Sequence, residues 1–119
     1  MSEKKEYVSR PMENGSLHIS EDALTETATQ AILEVEGVYA ITRGVSRKGN
    51  GRSVRVVISE DDTVSVDCYV VVLYGHSVVE VAKAVQSSVK LAIDAITGST
   101  VSNVNVGISG ISQTRTAKK

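Results

Sequence analysis

The chain has 119 residues, 41% of them apolar, and 13 Lys and Arg against 14 Asp and Glu for a formal net charge of −1. That length suits one domain with one core, and the near-neutral balance is unlike the overall basic charge of a typical nucleic-acid binder. A single cysteine, Cys68, rules out an intramolecular disulfide and a cysteine-built zinc site and points to a reducing compartment, while no stretch reaches the 18 or so apolar residues of a membrane span.

Residues 1–15, "MSEKKEYVSRPMENG", combine charged and polar side chains with the only proline; they read as a flexible tail and lack the apolar run of a secretory signal. "SLHIS" is a short strand. Ser20, followed by Glu21 and Asp22, marks a helix start with acids in its first turn. Leu24, Ala28, Ala31, Ile32 and Val35 then share one face at helical spacing, with Gly37 as the stop. A strand is expected from Val38 to about Val45, and another over Val54, Val56 and Ile58. After the turn "EDDT", "VSVDCYVVVLYG" is the longest strand: Val64, Val66, Cys68, Val70, Val72 and Tyr74 point one way, and Ser65, Asp67, Tyr69, Val71 and Leu73 the other. The second row begins polar and ends apolar, the mark of a central strand or of one covered by another subunit.

Ser77 and Glu80 have the spacing of a capping box. Behind them Val78, Val81, Ala82, Val85, Val89, Ala92, Ile93 and Ile96 form an apolar arc that Gly98 terminates. Val104, Val106 and Ile108 alternate with Asn103, Asn105 and Gly107 in a last strand, and residues 112–119 read as a second tail. The order β-α-β-β-β-α-β over residues 16–111 predicts one α+β domain. Its form is a two-layer sandwich, with a mixed sheet of about four to five strands and two helices on one face. Twenty valines with no Phe or Trp favour β-branched packing over aromatic anchoring.

One stretch stands apart: "TRGVSRKGNGRSVRV", residues 42–56, holds five basic side chains, three glycines and no acid. Its glycines are not followed by the Lys and hydroxyl residue of a phosphate-binding loop. Arg43, Arg47, Lys48, Arg52 and Arg55 are therefore read as a solvated hairpin end whose charge steers partner contact. An RNA-binding module built on residues 43–55 is the less favoured alternative, with nucleic acid disfavoured by the overall charge. Glu60, Asp61 and Asp62 form an acidic turn too compact to ring a hard cation. Basic and acidic ends of one strand suit head-to-tail association. Cys68 reads as a buried small hydrophobe, and neither His18 nor His76 pairs with a nucleophile, so no catalytic set, cofactor or metal is expected. Leu91, beside the core arc of the second helix with Ala84 and Ala95, is a candidate partner contact.

"LHIS" leading into a helix, "ILEVEGVYAI", "VSVDCYVVVLYGHSVVEVAKAVQSSVKLAID" and "VSNVNVGISGI" together resemble the alkaline shock protein family, the envelope stress response proteins of Gram-positive bacteria. The likeness spans Gly15 to Ile111 and is most specific in the ordered set Gly37-Val38, Tyr74-Gly75 and Val104-Asn105-Val106. It implies a non-enzymatic cytoplasmic protein that forms homo-oligomers. Such a protein does not insert in the membrane itself and is tethered beneath it by an integral membrane anchor of the same family. Some branches of the family are instead tied to fatty-acid synthesis, so regulation of a metabolic enzyme is a further alternative. The resemblance carries no catalytic residue.

Overall fold

The computed structural model describes residues 6–42, 54–98 and 101–113. In chain order the elements are β1 (Tyr7–Met12), β2 (Gly15–Ser20), α1 (Glu21–Leu33), β3 (Val38–Thr42), β4 (Val54–Ile58), β5 (Val64–Leu73), α2 (Val78–Thr97) and β6 (Val101–Ser112). The expected α+β order is present, preceded by one further strand.

β5 is the spine of the four-stranded sheet. Along one edge it pairs antiparallel with β4, from Ile58 opposite Val64 to Val54 opposite Cys68, and then with β3, from Thr42 opposite Tyr69 to Val38 opposite Val72. Along the other edge it pairs in parallel with β6 over its whole length. The central-strand reading of its two-sided apolar end is therefore correct. Val64, Val66, Cys68, Val70 and Val72 are each at most 1% exposed. They face a helical layer in which Leu24, Ala28, Ala31 and Ile32 of α1 and Val81, Val85, Val89 and Ile93 of α2 are buried at the expected spacing. Removing a Val or Ile side chain from water contributes about 1.5–3 kcal/mol, so this valine-rich interlayer supplies most of the apolar drive to fold.

The helix ends follow from sequence. Ser20 Oγ accepts the Ala23 amide at 3.1 Å and Ser77 Oγ the Glu80 amide at 3.2 Å, each satisfying an amide that the first turn leaves without a partner. Gly98 closes α2 at φ 87°, its N–H donating to Asp94 O, a left-handed position that only glycine holds cheaply. α1 stops earlier than expected, with Glu34 as its C-cap.

Four expectations are corrected. Within the predicted N-terminal tail, residues 7–12 form β1, which pairs with β2 in a separate two-stranded sheet. Val8 is fully buried, and Arg10 Nη1 donates to the carbonyls of Thr97 and, at 3.5 Å, of Gly98. The segment reads as a tail because its one buried apolar residue is surrounded by polar ones; it pairs locally with β2, and Arg10 ties it to a site nearly ninety residues away. β3 and β4 are not a hairpin: they lie end to end on one edge of β5, β3 ending with Thr42 opposite Tyr69 and β4 beginning with Val54 opposite Cys68. The apolar arc of α2 is also rotated at its ends, where Val78 and Ile96 are exposed and Thr97 is 1% exposed, its hydroxyl bonded to Ile93 O at 2.8 Å. Tyr74, assigned to the buried row, is 70% exposed because β5 has ended.

Candidate binding surfaces

The groups with intrinsic reactivity are held in structural roles. Cys68 faces the helical layer, its thiol directed at Asn105 O at 3.8 Å; burial, assisted by the charge of Asp67, pushes its pKa up to about 11, which keeps it protonated and weakly nucleophilic at neutral pH. The His18 ring stacks on Tyr7 across the β1–β2 pair, centroids 4.4 Å apart and 15° from parallel. His76 lies against Gly37. Among the described residues no three His, Cys, Asp or Glu side chains gather as metal ligands would.

Of the basic candidates, Arg43, Arg47, Lys48 and Arg52 lie outside the described residues. Arg55 stands exposed on β4, in register with Asp67 of β5. Glu60, Asp61 and Asp62 form the turn joining β4 to β5; Asp61 Oδ1 accepts the Thr63 hydroxyl at 2.8 Å and its amide at 3.2 Å. That carboxylate is engaged in shaping the turn, and Asp62 adopts φ 68° there. The structure thus places the acidic turn and Arg55 on one hairpin and does not bring Leu91, on α2, to either.

Two surfaces stand out. The first is the sheet face opposite the helices. Register puts Ala40, Tyr69, Val71 and Leu73 together at one end of it, and Arg55, Ser65, Asp67, Asn103 and Asn105 at the other. At the polar end Asn105 Nδ2 donates to Asp67 Oδ1 at 2.8 Å. At the apolar end the Tyr69 ring lies across Gly107; a Cβ there would sit 2.5 Å from two ring carbons, so β6 needs glycine for the ring to lie flat on the sheet. No described helix covers this face.

The second surface is a groove of about 620 Å³ between the helices, lined by Glu26, Thr27, Gln30, Ala31 and Glu34 from the α1 side and Ser88, Leu91 and Ala92 from α2. Small residues open it: Ala31 and Ala92 make the floor, and Ser88 Oγ donates to Ala31 O at 3.1 Å, holding the helices at this separation. Leu91 stands on the rim, 70% exposed. The periodicity of α2 singled out Leu91 as an apolar residue off the core arc. The α1 side of the groove left no such signal, because acids and polar residues on a helix read as an ordinary solvated face.

Compared with known proteins, the chain matches the model of the alkaline shock protein 23 family, cell envelope-related function, over residues 9–113. It is similar to the uncharacterized protein YqhY of Bacillus subtilis strain 168, 32% identical over 105 residues that cover 82% of this chain and 77% of that one. The uncharacterized protein Spy1614 of Streptococcus pyogenes serotype M6 is 30% identical over 107 residues, 82% of this chain and 88% of the relative. The uncharacterized protein YloU of Bacillus subtilis strain 168 is 26% identical over 107 residues, again 82% and 88%. No solved structure matches the chain. The family match begins inside β1, in keeping with that strand being part of the domain.

Proposed function

The chain belongs to the alkaline shock protein family, and on that premise we propose that it is a non-enzymatic envelope stress protein acting by self-association and by binding other proteins beneath the membrane. The observation that carries this reading is the sheet face opposite the helices: Ala40, Tyr69, Val71 and Leu73 form a partly exposed apolar strip with no described helix over it. A contiguous exposed strip of this kind is what protein contact covers. No helix among the described residues is long and apolar enough to cross a membrane, so in this reading an integral membrane partner supplies the membrane contact.

Sedimentation velocity across a wide concentration range tests the self-association. The parent chain is expected to form species larger than a monomer, and Val71→Glu, which sets a charge in the middle of the strip, to shift it toward monomer with unchanged far-UV circular dichroism. A parent that stays monomeric throughout, or a Val71→Glu variant that assembles like the parent, overturns it. Cross-linking capture from the native host, read by mass spectrometry, then separates a membrane anchor from a metabolic enzyme as the partner.

A further inference from the structure

We infer that the groove between α1 and α2 is the docking site for a cationic amphipathic helix of another protein. The inference rests on the protein-binding half of the function proposed above and not on self-association through the sheet face.

Charge carries the argument. The two helices that wall the groove, α1 and α2, hold five acids, Glu21, Asp22, Glu26, Glu80 and Asp94, against two bases, Lys83 and Lys90. Of the two bases, Lys90 is committed to Asp94, at 2.9 Å. Between residues 21 and 42 there are five acids, Glu21, Asp22, Glu26, Glu34 and Glu36, and no base. Glu21 and Asp22 are explained by the helix dipole, which favours anions at the N-terminus. Glu34 is not: it is the C-cap of a helix whose last turn carries no base, where the dipole disfavours an anion. A residue placed against a local electrostatic rule, with no described base beside it, marks a position set by function rather than by stability.

Geometry supplies the rest. Glu26, Gln30 and Glu34 follow one another at four-residue spacing along the groove wall, so the two carboxylates stand about 12 Å apart along the axis, two helical turns. Between them the floor is Ala31 and Ala92, small enough to admit a side chain from above, and Leu91 is exposed beside it. The complementary ligand is a helix with an apolar stripe at i, i+3/i+4 and i+7 that fills the floor against Leu91, flanked by Lys or Arg two turns apart that face Glu26 and Glu34. An anionic or uncharged helix meets the same floor but gains nothing at the walls.

The test is a titration of the full chain with a synthetic helical peptide of about 18 residues, leucines on one stripe and lysines elsewhere. Two controls accompany it: the same composition in scrambled order, and the leucine pattern with glutamates for lysines. Amide shifts in the NMR spectrum are expected on Gln30, Ala31, Ser88 and Ala92. Glu26→Lys with Glu34→Lys, and separately Leu91→Glu, are expected to weaken binding by at least about tenfold; both sites are on the surface, so circular dichroism checks that folding is intact. Val71→Glu is expected to bind the peptide as the parent does. The inference is overturned by equal binding of the scrambled peptide, by amide shifts confined to the sheet face, by indifference to the double charge reversal, or by no binding at all. It is also overturned if Leu91→Glu abolishes self-association, since the occupant is then a second copy. A chain that self-associates but ignores the peptide defeats this inference and leaves the sheet-face reading standing.

Discussion

Cys68 shows how one side chain ties the fold to pH. In the unfolded chain its thiol titrates near its ordinary value of 9.0; in the folded protein burial among the valines of β5 and the nearby Asp67 charge raise this to about 11. Below 9 both states keep the proton and the stabilisation is fully present. Between 9 and 11 the unfolded state releases the proton and the folded state does not, so stability falls as pH rises, by at most about 3 kcal/mol. Urea denaturation at pH 8 and pH 10.5 is expected to show a smaller loss for Cys68→Val than for the parent, and iodoacetamide is expected to label the native thiol far more slowly than the unfolded one. Equal pH responses of the two proteins would show that Cys68 does not sense the change. Alternation in "VSVDCYVVVL" made this burial legible, because parity in a strand assigns faces directly. The same parity misplaced Tyr74, one residue past the point where the strand lets go.

At the scale of elements, what was legible is what is local. β4, β5 and α2 stand nearly where apolar spacing and caps put them, and Ser77→Ala, which removes the acceptor of the Glu80 amide, is expected to cost about 1 kcal/mol. β1 was not legible, because Val8 is its one buried apolar residue; its pairing with β2 across Glu13-Asn14 is local, but two long-range contacts fix it to the core. Val8 fills a core position, and Arg10 brings a cation and hydrogen bonds to the C-terminal carbonyls of α2, where the helix dipole is negative. Val8→Ala is expected to cost about 2 kcal/mol and Arg10→Ala about 1 kcal/mol in urea denaturation. Effects within a few tenths of zero for both would return residues 7–12 to the status of a tail. The groove between the helices belongs to the same class: each wall is an unremarkable surface in one dimension, and only the packing of Ala31 against Ser88 makes them face each other.

Over the whole molecule the formal net charge is −1, with 13 bases against 14 acids unevenly spread along the chain. Nine of the bases and one acid lie in 1–5, 43–53 and 114–119. The register of the described strands predicts that the ladder survives deletion of residues 43–53. Thr42 pairs with Tyr69 and Val54 with Cys68, successive residues of β5, so joining Thr42 directly to Val54 continues one antiparallel ladder with the alternation of faces unbroken. The excised chain is expected to keep its far-UV circular dichroism and to be no less stable, since the chain to be closed between the two strands is shorter. Its net charge moves from −1 to −5, because the stretch holds Arg43, Arg47, Lys48, Arg52 and no acid. If the basic stretch steers association, added salt weakens self-association of the parent by screening attraction, and strengthens that of the excised chain by screening repulsion between acidic domains. Light scattering of both proteins over a salt series reads that reversal of sign. The same sign in both would remove residues 43–53 from the assembly and leave association to the uncharged strip of the sheet.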